Sequence, residues 1–186
     1  TTDVIPLRDG VPCGIGRTDT VRLRHRELVY TGMRRTPLCA LLPPGETCAE
    51  FFATSHDAHL LLHNTADDPA DRDTADGRPA TRAFAHARIA RMVGGDGTSV
   101  SEAETVRLAR LAVARQLELV SDAAEDQARK YGRPDVVIVG GTGEALVCAA
   151  INWEVEWVSL SDKLGWEVSR CAPAFAVATL AREKPV

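Results

Sequence analysis

The run Asp135-Val-Val-Ile-Val-Gly-Gly-Thr-Gly-Glu144 constrains this chain more than any other segment. Four β-branched apolar residues, preceded by Pro134 and stopped by glycines, read as a buried parallel strand entering a tight loop. The next residues, Ala145-Leu-Val-Cys-Ala-Ala150, suit a helix. A strand, a glycine loop and a helix N-terminus together turn backbone N–H groups toward an anion or a nucleotide. Neither common fingerprint fits. Counting from Gly141 and Gly143, a dinucleotide loop needs a third glycine or alanine where this chain has Leu146. A phosphate loop needs Gly-Lys-Ser/Thr, and Glu144 stands where the lysine belongs. The alternative is that the glycines only permit close packing of strand on helix.

Before that run, strand-like sequence comes first. Thr2–Leu7 ends at Asp9-Gly10, a favoured hairpin turn, and Val11–Gly16 supplies the returning strand. Further strands are expected over Glu27–Thr31, Leu38–Leu42 and Glu50–Phe52, with a helix over Ser55–His63 capped by Thr54 or Ser55. An acidic loop follows from Asn64 to Thr81, then a helix over Ala83–Val93. A long helix is expected over Ser101–Lys130, where Ser101 and Glu104 spell a capping box. A strand over Trp153–Leu160 and a helix over Pro173–Arg182 complete the pattern. The fold class is α/β. It divides into a β-rich start (1–63), an acidic loop with a helical block (64–132) and a glycine-loop β-α unit with a C-terminal helix (133–186).

A net charge of -4 argues against a broad nucleic-acid surface, and no run approaches the roughly 18 apolar residues of a membrane span. Five scattered cysteines suit a reducing cytoplasm better than a disulfide framework. The chain opens Thr-Thr-Asp without a methionine, from which we expect a fragment or a processed product.

Two segments together resemble one superfamily. Thr1-Thr2-Asp3-Val4-Ile5, followed by the Asp9-Gly10 turn, resembles the phosphate-loop strand of the actin/sugar-kinase (ribonuclease H-like) fold, in the form found in the hydantoinase A/oxoprolinase group. Val-Ile-Val-Gly-Gly-Thr-Gly-Glu144 resembles the adenosine-side motif of the same fold. Glu27-Leu-Val-Tyr-Thr-Gly-Met-Arg-Arg-Thr-Pro37, Ala49-Glu-Phe-Phe-Ala-Thr54 and Asp73-Thr-Ala-Asp-Gly-Arg78 are more particular. They look like proteins associated with tetrahydromethanopterin-linked one-carbon transfer, and are similar to archaeal methanofuran-synthesis enzymes that join a furfuryl diphosphate to a glutamyl-tyramine phenol. The resemblance implies an actin-like lobe with an inserted helical block. The Asp-x-Gly-Gly that precedes this first strand in the superfamily is absent, so the chain is expected to be the C-terminal part of a two-lobe protein, completed by an N-terminal lobe or a partner chain. Self-association stays open.

The same resemblance implies a transferase that releases diphosphate, with a phosphorylated or diphosphorylated small molecule as substrate and Mg²⁺ as cofactor. Thr1 and Thr2 would donate to phosphate oxygens, and Asp3 would hold the metal or act catalytically. Gly140, Gly141, Thr142 and Gly143 would contact the ligand. Arg34 or Arg35 offers a guanidinium fork to a diphosphate, and Asp73 and Asp76 are further catalytic candidates. Two rival readings are an ATP-dependent hydrolase or small-molecule kinase and a non-catalytic lobe. Other acidic and histidine patterns lead elsewhere. Asp67-Asp68-Pro-Ala-Asp71 spells a prenyl-transferase motif, but in a loop rather than on a helix, and the calcium-hand spacing fails at Gly77 and Arg82. His56, His59 and His63 with Cys48 could be read as zinc ligands, yet they are better taken as a solvated face, with Leu60–Leu62 as the buried side.

Overall fold

The computed structural model describes residues 1–183. It is mixed α/β, and its chain divides into two units. The first consists of Thr1–Asp3 with Leu28–Val120, and the second of Val4–Glu27 with the chain from Ser121 onward.

In the first unit, strand β1 (Thr2–Asp3) pairs antiparallel with β4 (Leu28–Val29), setting Thr2 opposite Val29 and Asp3 opposite Leu28. Helices α2 (Ser55–Leu61) and α3 (Arg82–Arg91) pack together with the start of α4 (Glu102–Tyr131). Their core is Leu38, Leu41, Leu42, Leu60, Ile89, Met92 and Leu108 with small alanines between. All seven residues of α2 are buried, so its polar members must find partners inside the protein.

Three sequence expectations change here. Leu38–Ala40 forms a turn of 3-10 helix, not a strand. Leu38, Leu41 and Leu42 are all buried, a spacing that a helical turn satisfies and a strand of period two does not. Glu50–Phe52 is a bend, with Phe52 packed on the core and Phe51 exposed. The histidine face expected in solvent is turned inward: His56 and His59 are buried along with Leu60 and Leu61, and of the three histidines only His63, with positive φ just past the helix end, is exposed. The expected helix starts hold well. Thr54 and Asp57 make a full capping box on α2. At α4, Glu104 N–H donates to Ser101 Oγ at 3.2 Å, while the Glu104 carboxylate turns to Arg107, so half of that box forms.

The second unit opens with a hairpin of β2 (Leu7–Arg8) and β3 (Val11–Pro12), which pairs Arg8 with Val11 across Asp9-Gly10. Both turn residues have positive φ, 52° and 76°, the type I′ geometry that Asp-Gly favours. Helix α1 (Asp19–Arg24), which the sequence pattern did not suggest, begins at Thr18, whose side chain accepts from Val21 N–H. The glycine-loop strand is β5 (Val136–Val139). It pairs in parallel with β6 (Glu156–Ser159), with Val136 opposite Glu156 and Val139 opposite Ser159. Between them lies α5 (Glu144–Ala150), and three short helices follow: α6 (Leu160–Leu164), α7 (Trp166–Arg170) and α8 (Ala172–Glu183). The strand expected up to Leu160 ends one residue earlier because the Ser159 hydroxyl caps α6 by accepting from Asp162 N–H at 3.1 Å. Among the described residues, no helix is long and apolar enough to cross a membrane.

Candidate functional site

Of the segments that carry the sequence resemblance, 49–54, 73–78 and all of 27–37 but Glu27 lie in the first unit, and the run ending at Glu144 lies in the second. The loop 31–36 is held by Ser55, the first residue of α2. Ser55 Oγ donates to Gly32 O at 2.7 Å, and Ser55 N–H donates to Thr36 O at 2.8 Å. Gln116, fully buried on α4, donates from Nε2 to Thr31 Oγ1 at 2.7 Å and to Gly32 O at 2.9 Å. Its Oε1 lies 3.1 Å from His59 Nε2, and Asn64 Nδ2 lies 3.1 Å from His59 Nδ1. Since Gln116 spends its amide hydrogens on the loop, its oxygen must accept, which makes His59 the Nε2–H tautomer, with Nδ1 accepting from Asn64. Burial drives the His59 pKa down to about 4, against the Gln116 bond, so the ring is neutral.

Below that loop lies a chain of alternating charges. Arg34 Nη2 donates to Asp71 Oδ2 at 2.6 Å and stands 3.9 Å from Asp73 Oδ2. The Arg34 guanidinium holds the Asp71 carboxyl below the usual carboxylate range. Arg88, fully buried, reaches Asp57 from Nε at 2.8 Å and Asp76 from Nη1 at 3.1 Å. Thr54 N–H also donates to Asp57, at 2.9 Å. Burial pushes the Asp57 carboxyl up, and the Arg88 and Thr54 bonds oppose it. Asp76 further binds Arg78 Nε at 2.8 Å and Arg91 at 3.5 Å. Burial acts to raise the Asp76 pKa, but these guanidinium bonds outweigh it and hold it low. Arg78 in turn lies over the Phe84 ring at 4.9 Å.

The residues expected at a site divide between the units. In the first unit, Thr2 Oγ1 donates to Thr31 O at 2.9 Å. A side chain on Gly32 would come within 3.1 Å of Thr1 N, so Thr1 and Thr2 lie against the loop that carries Arg34. Asp3 is exposed at the end of β1, and Arg35 is exposed beside the half-buried Arg34. Asp73 keeps an exposed carboxylate, whereas Asp76 is tied to three guanidinium groups. Sequence reasoning missed Asp57, Arg88 and Gln116. A signal existed for Arg88: with Ala85, Ile89 and Met92 it occupies one helical stripe of otherwise apolar residues, where a charge needs a buried partner.

Gly140–Gly143 lie in the second unit. A Cβ on Gly140 would meet Leu160 Cδ1 at 2.7 Å, so a side chain there would displace the end of Leu160. Gly141 has φ of 90°, and its N–H donates to Ser169 Oγ at 2.9 Å. Gly143 faces open space and Thr142 is exposed. Glu144, where a phosphate loop has lysine, accepts from the hydroxyls of Ser169 at 2.6 Å, Ser159 at 2.7 Å and Ser161 at 2.8 Å. Burial acts to raise its pKa, but the serine bonds prevail and the carboxylate is ionised. Among the described residues, no three of His, Cys, Asp and Glu gather as a metal-binding group.

No family model matches the chain. Over 196 residues it is 29% identical to a Methanococcus vannielii protein named (4-{4-[2-(gamma-L-glutamylamino)ethyl]phenoxymethyl}furan-2-yl)methanamine synthase, covering 99% of this chain and 87% of that protein. Over 191 residues it is 31% identical to a Methanocaldococcus jannaschii protein of the same name, covering 99% of this chain and 57% of that protein.

Proposed function

We propose that this chain carries the ether-forming transferase activity of methanofuran-type carrier synthesis, in which a phenol oxygen displaces diphosphate from a furfuryl carbon. The observation that carries the reading is the shared name of the two relatives, whose alignments run over 99% of the chain. The product in that name is an aryl ether of a hydroxymethyl furan, and its phenol half is γ-glutamyl tyramine. The furan ring stabilises positive charge at the carbon being displaced, so the protein's main task is to receive the charge of the departing diphosphate.

The 31–36 loop offers the means. Arg34 holds Asp71 in a contact that a diphosphate oxygen can replace, since a guanidinium fork suits either anion. A Mg²⁺ ion arriving with the diphosphate would need only one or two carboxylates, for which Asp3 and Asp73 are the candidates, and would supply charge neutralisation there. Thr1 and Arg35 border the same loop and are assigned to the phosphates. For the glycine loop the reading is narrower. It lies in the second unit, where Gly141 gives its N–H to Ser169 and Glu144 is ionised, so it is not assigned to the phosphates. The actin/sugar-kinase architecture rests on the sequence resemblance alone, since a parallel β5–α5–β6 unit is common to many α/β folds.

The test is direct. The protein is incubated with γ-glutamyl tyramine and the diphosphate ester of (4-hydroxymethylfuran-2-yl)methanamine, and ether and diphosphate are measured by mass spectrometry. Equal amounts of both are expected without ATP. Arg34→Ala should raise KM for the diphosphate by roughly ten- to a hundredfold, the loss of one charge-assisted contact. Ether formation that requires ATP, or none at all, would overturn the reading.

A further inference from the structure

Resting on the transferase reading, we infer that His56 receives the phenolic proton in the ether-forming step. His56 is the second residue of α2, 4% exposed, and its Nδ1 has no hydrogen-bond partner. A buried imidazole nitrogen left unpaired is uncommon, because it forfeits a hydrogen bond it would have had in water. The two Ser55 bonds to Gly32 and Thr36 fix this turn of α2 against the loop that bears Arg34. The charged and titratable groups whose fields reach the ring are Arg34, Asp57, Asp71 and Arg88, with His59 on the same helix. Burial, and then Arg34, lower the His56 pKa, so the ring is neutral and able to accept a proton.

The neighbouring carboxylates are poorer bases for a phenol. Asp57, Asp71 and Asp76 already bind guanidinium groups, and the Asp73 side chain is 79% exposed and hydrated. An imidazole in its ordinary range is closer in proton affinity to a phenol, whose pKa is about 10, than a carboxylate near 4, and burial of His56 and Asp57 narrows that gap. In the step, the phenol O–H bond breaks and its proton passes to His56 Nδ1. The oxygen forms its bond to the furfuryl carbon as the carbon–oxygen bond to diphosphate breaks, and the diphosphate leaves with that electron pair. Arg34 exchanges Asp71 for the diphosphate. Asp71, released from its partner, then faces the imidazolium that has formed.

The experiment compares His56→Asn with wild type in the full chain, using the two substrates above. The expected result is a fall in kcat/KM of about a hundredfold or more with KM for the diphosphate unchanged. Two further readouts separate chemistry from packing. The acid limb of the wild-type pH profile, below pH 6.5, should be absent from the variant, and a fluorinated, more acidic phenol should lose less rate than the parent. A His56→Asn protein that keeps its rate and its acid limb, or an Asp73→Asn protein that loses the limb instead, would overturn the inference and leave the transferase reading intact. If wild type forms no ether, the transferase reading falls. The inference, which rests on that reading, then falls with it.

Discussion

At the scale of single residues, the first unit rests on polar side chains that are buried and matched. Asp57 and Arg88 are nearly free of solvent, and each would be costly alone, yet Arg88 Nε and Nη2 both reach Asp57 Oδ1 and the Thr54 N–H donates to Oδ2, which satisfies the pair. His59 couples the stability of this unit to pH. The unfolded chain binds its proton near pH 6.5, whereas folded His59 resists until about pH 4. The unfolded state therefore holds more protons in that window, and stability must rise with pH. Stability is full above pH 6.5 and declines as the pH falls to about 4, by about 3 kcal/mol from this residue. Denaturant titrations at pH 7, 5.5 and 4.5 check it: the wild-type midpoint should drop steadily, and His59→Gln should flatten the decline. An unchanged midpoint across the range would show that His59 titrates normally in the fold.

At the scale of elements, Gly140 separates two reasons for a glycine loop. Its absent Cβ leaves room for Leu160 at the start of α6, so Gly140→Ala should destabilise the protein by about 1 to 2 kcal/mol through overpacking. Leu160→Ala in the same chain should recover part of that loss, as read by thermal unfolding of the single and double variants. Much of this region was legible in the sequence. A β-branched run, a glycine cluster and an alanine-rich segment gave strand, loop and helix at the right places, and Asp9-Gly10 gave the hairpin. Leu38–Leu42 was misread because a short apolar run has no period of its own, and only the burial of Leu38, Leu41 and Leu42 on one side reveals a turn. The buried polar face of α2 was misread for a related reason. A histidine looks solvated until Gln116, more than fifty residues away, is found beside it. Arg34, Asp73 and Asp76 were picked out by their motifs, but Asp71 and Arg88, which organise them, pair across 37 and 31 residues and leave no local trace.

At the scale of the molecule, apolar burial is unequal. The main hydrophobic cluster lies wholly in the first unit, while the second leaves Val136, Ile138, Trp166, Phe175, Val177 and Leu180 at least 40% exposed. Parallel strands are ordinarily covered on both faces, and β5 is not. Few buried contacts mean a low free energy of local opening. Native-state hydrogen exchange should therefore show α2, α3 and the first half of α4 as the slowest amides, with β5, β6 and α8 faster by an order of magnitude or more. Equal protection in both units would contradict this distribution.

The bonds around His59 also have a direction. Asn64 donates to the ring, the ring to Gln116, and Gln116 to Thr31 and Gly32, so every proton in the series points from the end of α2 toward the loop. A second proton on His59 would turn a hydrogen toward Asn64, where one already points, and the amide would have to flip. Such a series behaves as a one-way relay that can be set in only one sense. Acid reaching His59 should thus be felt first at Asn64, just past the end of α2, while the bonds from the ring through Gln116 to the loop keep their sense.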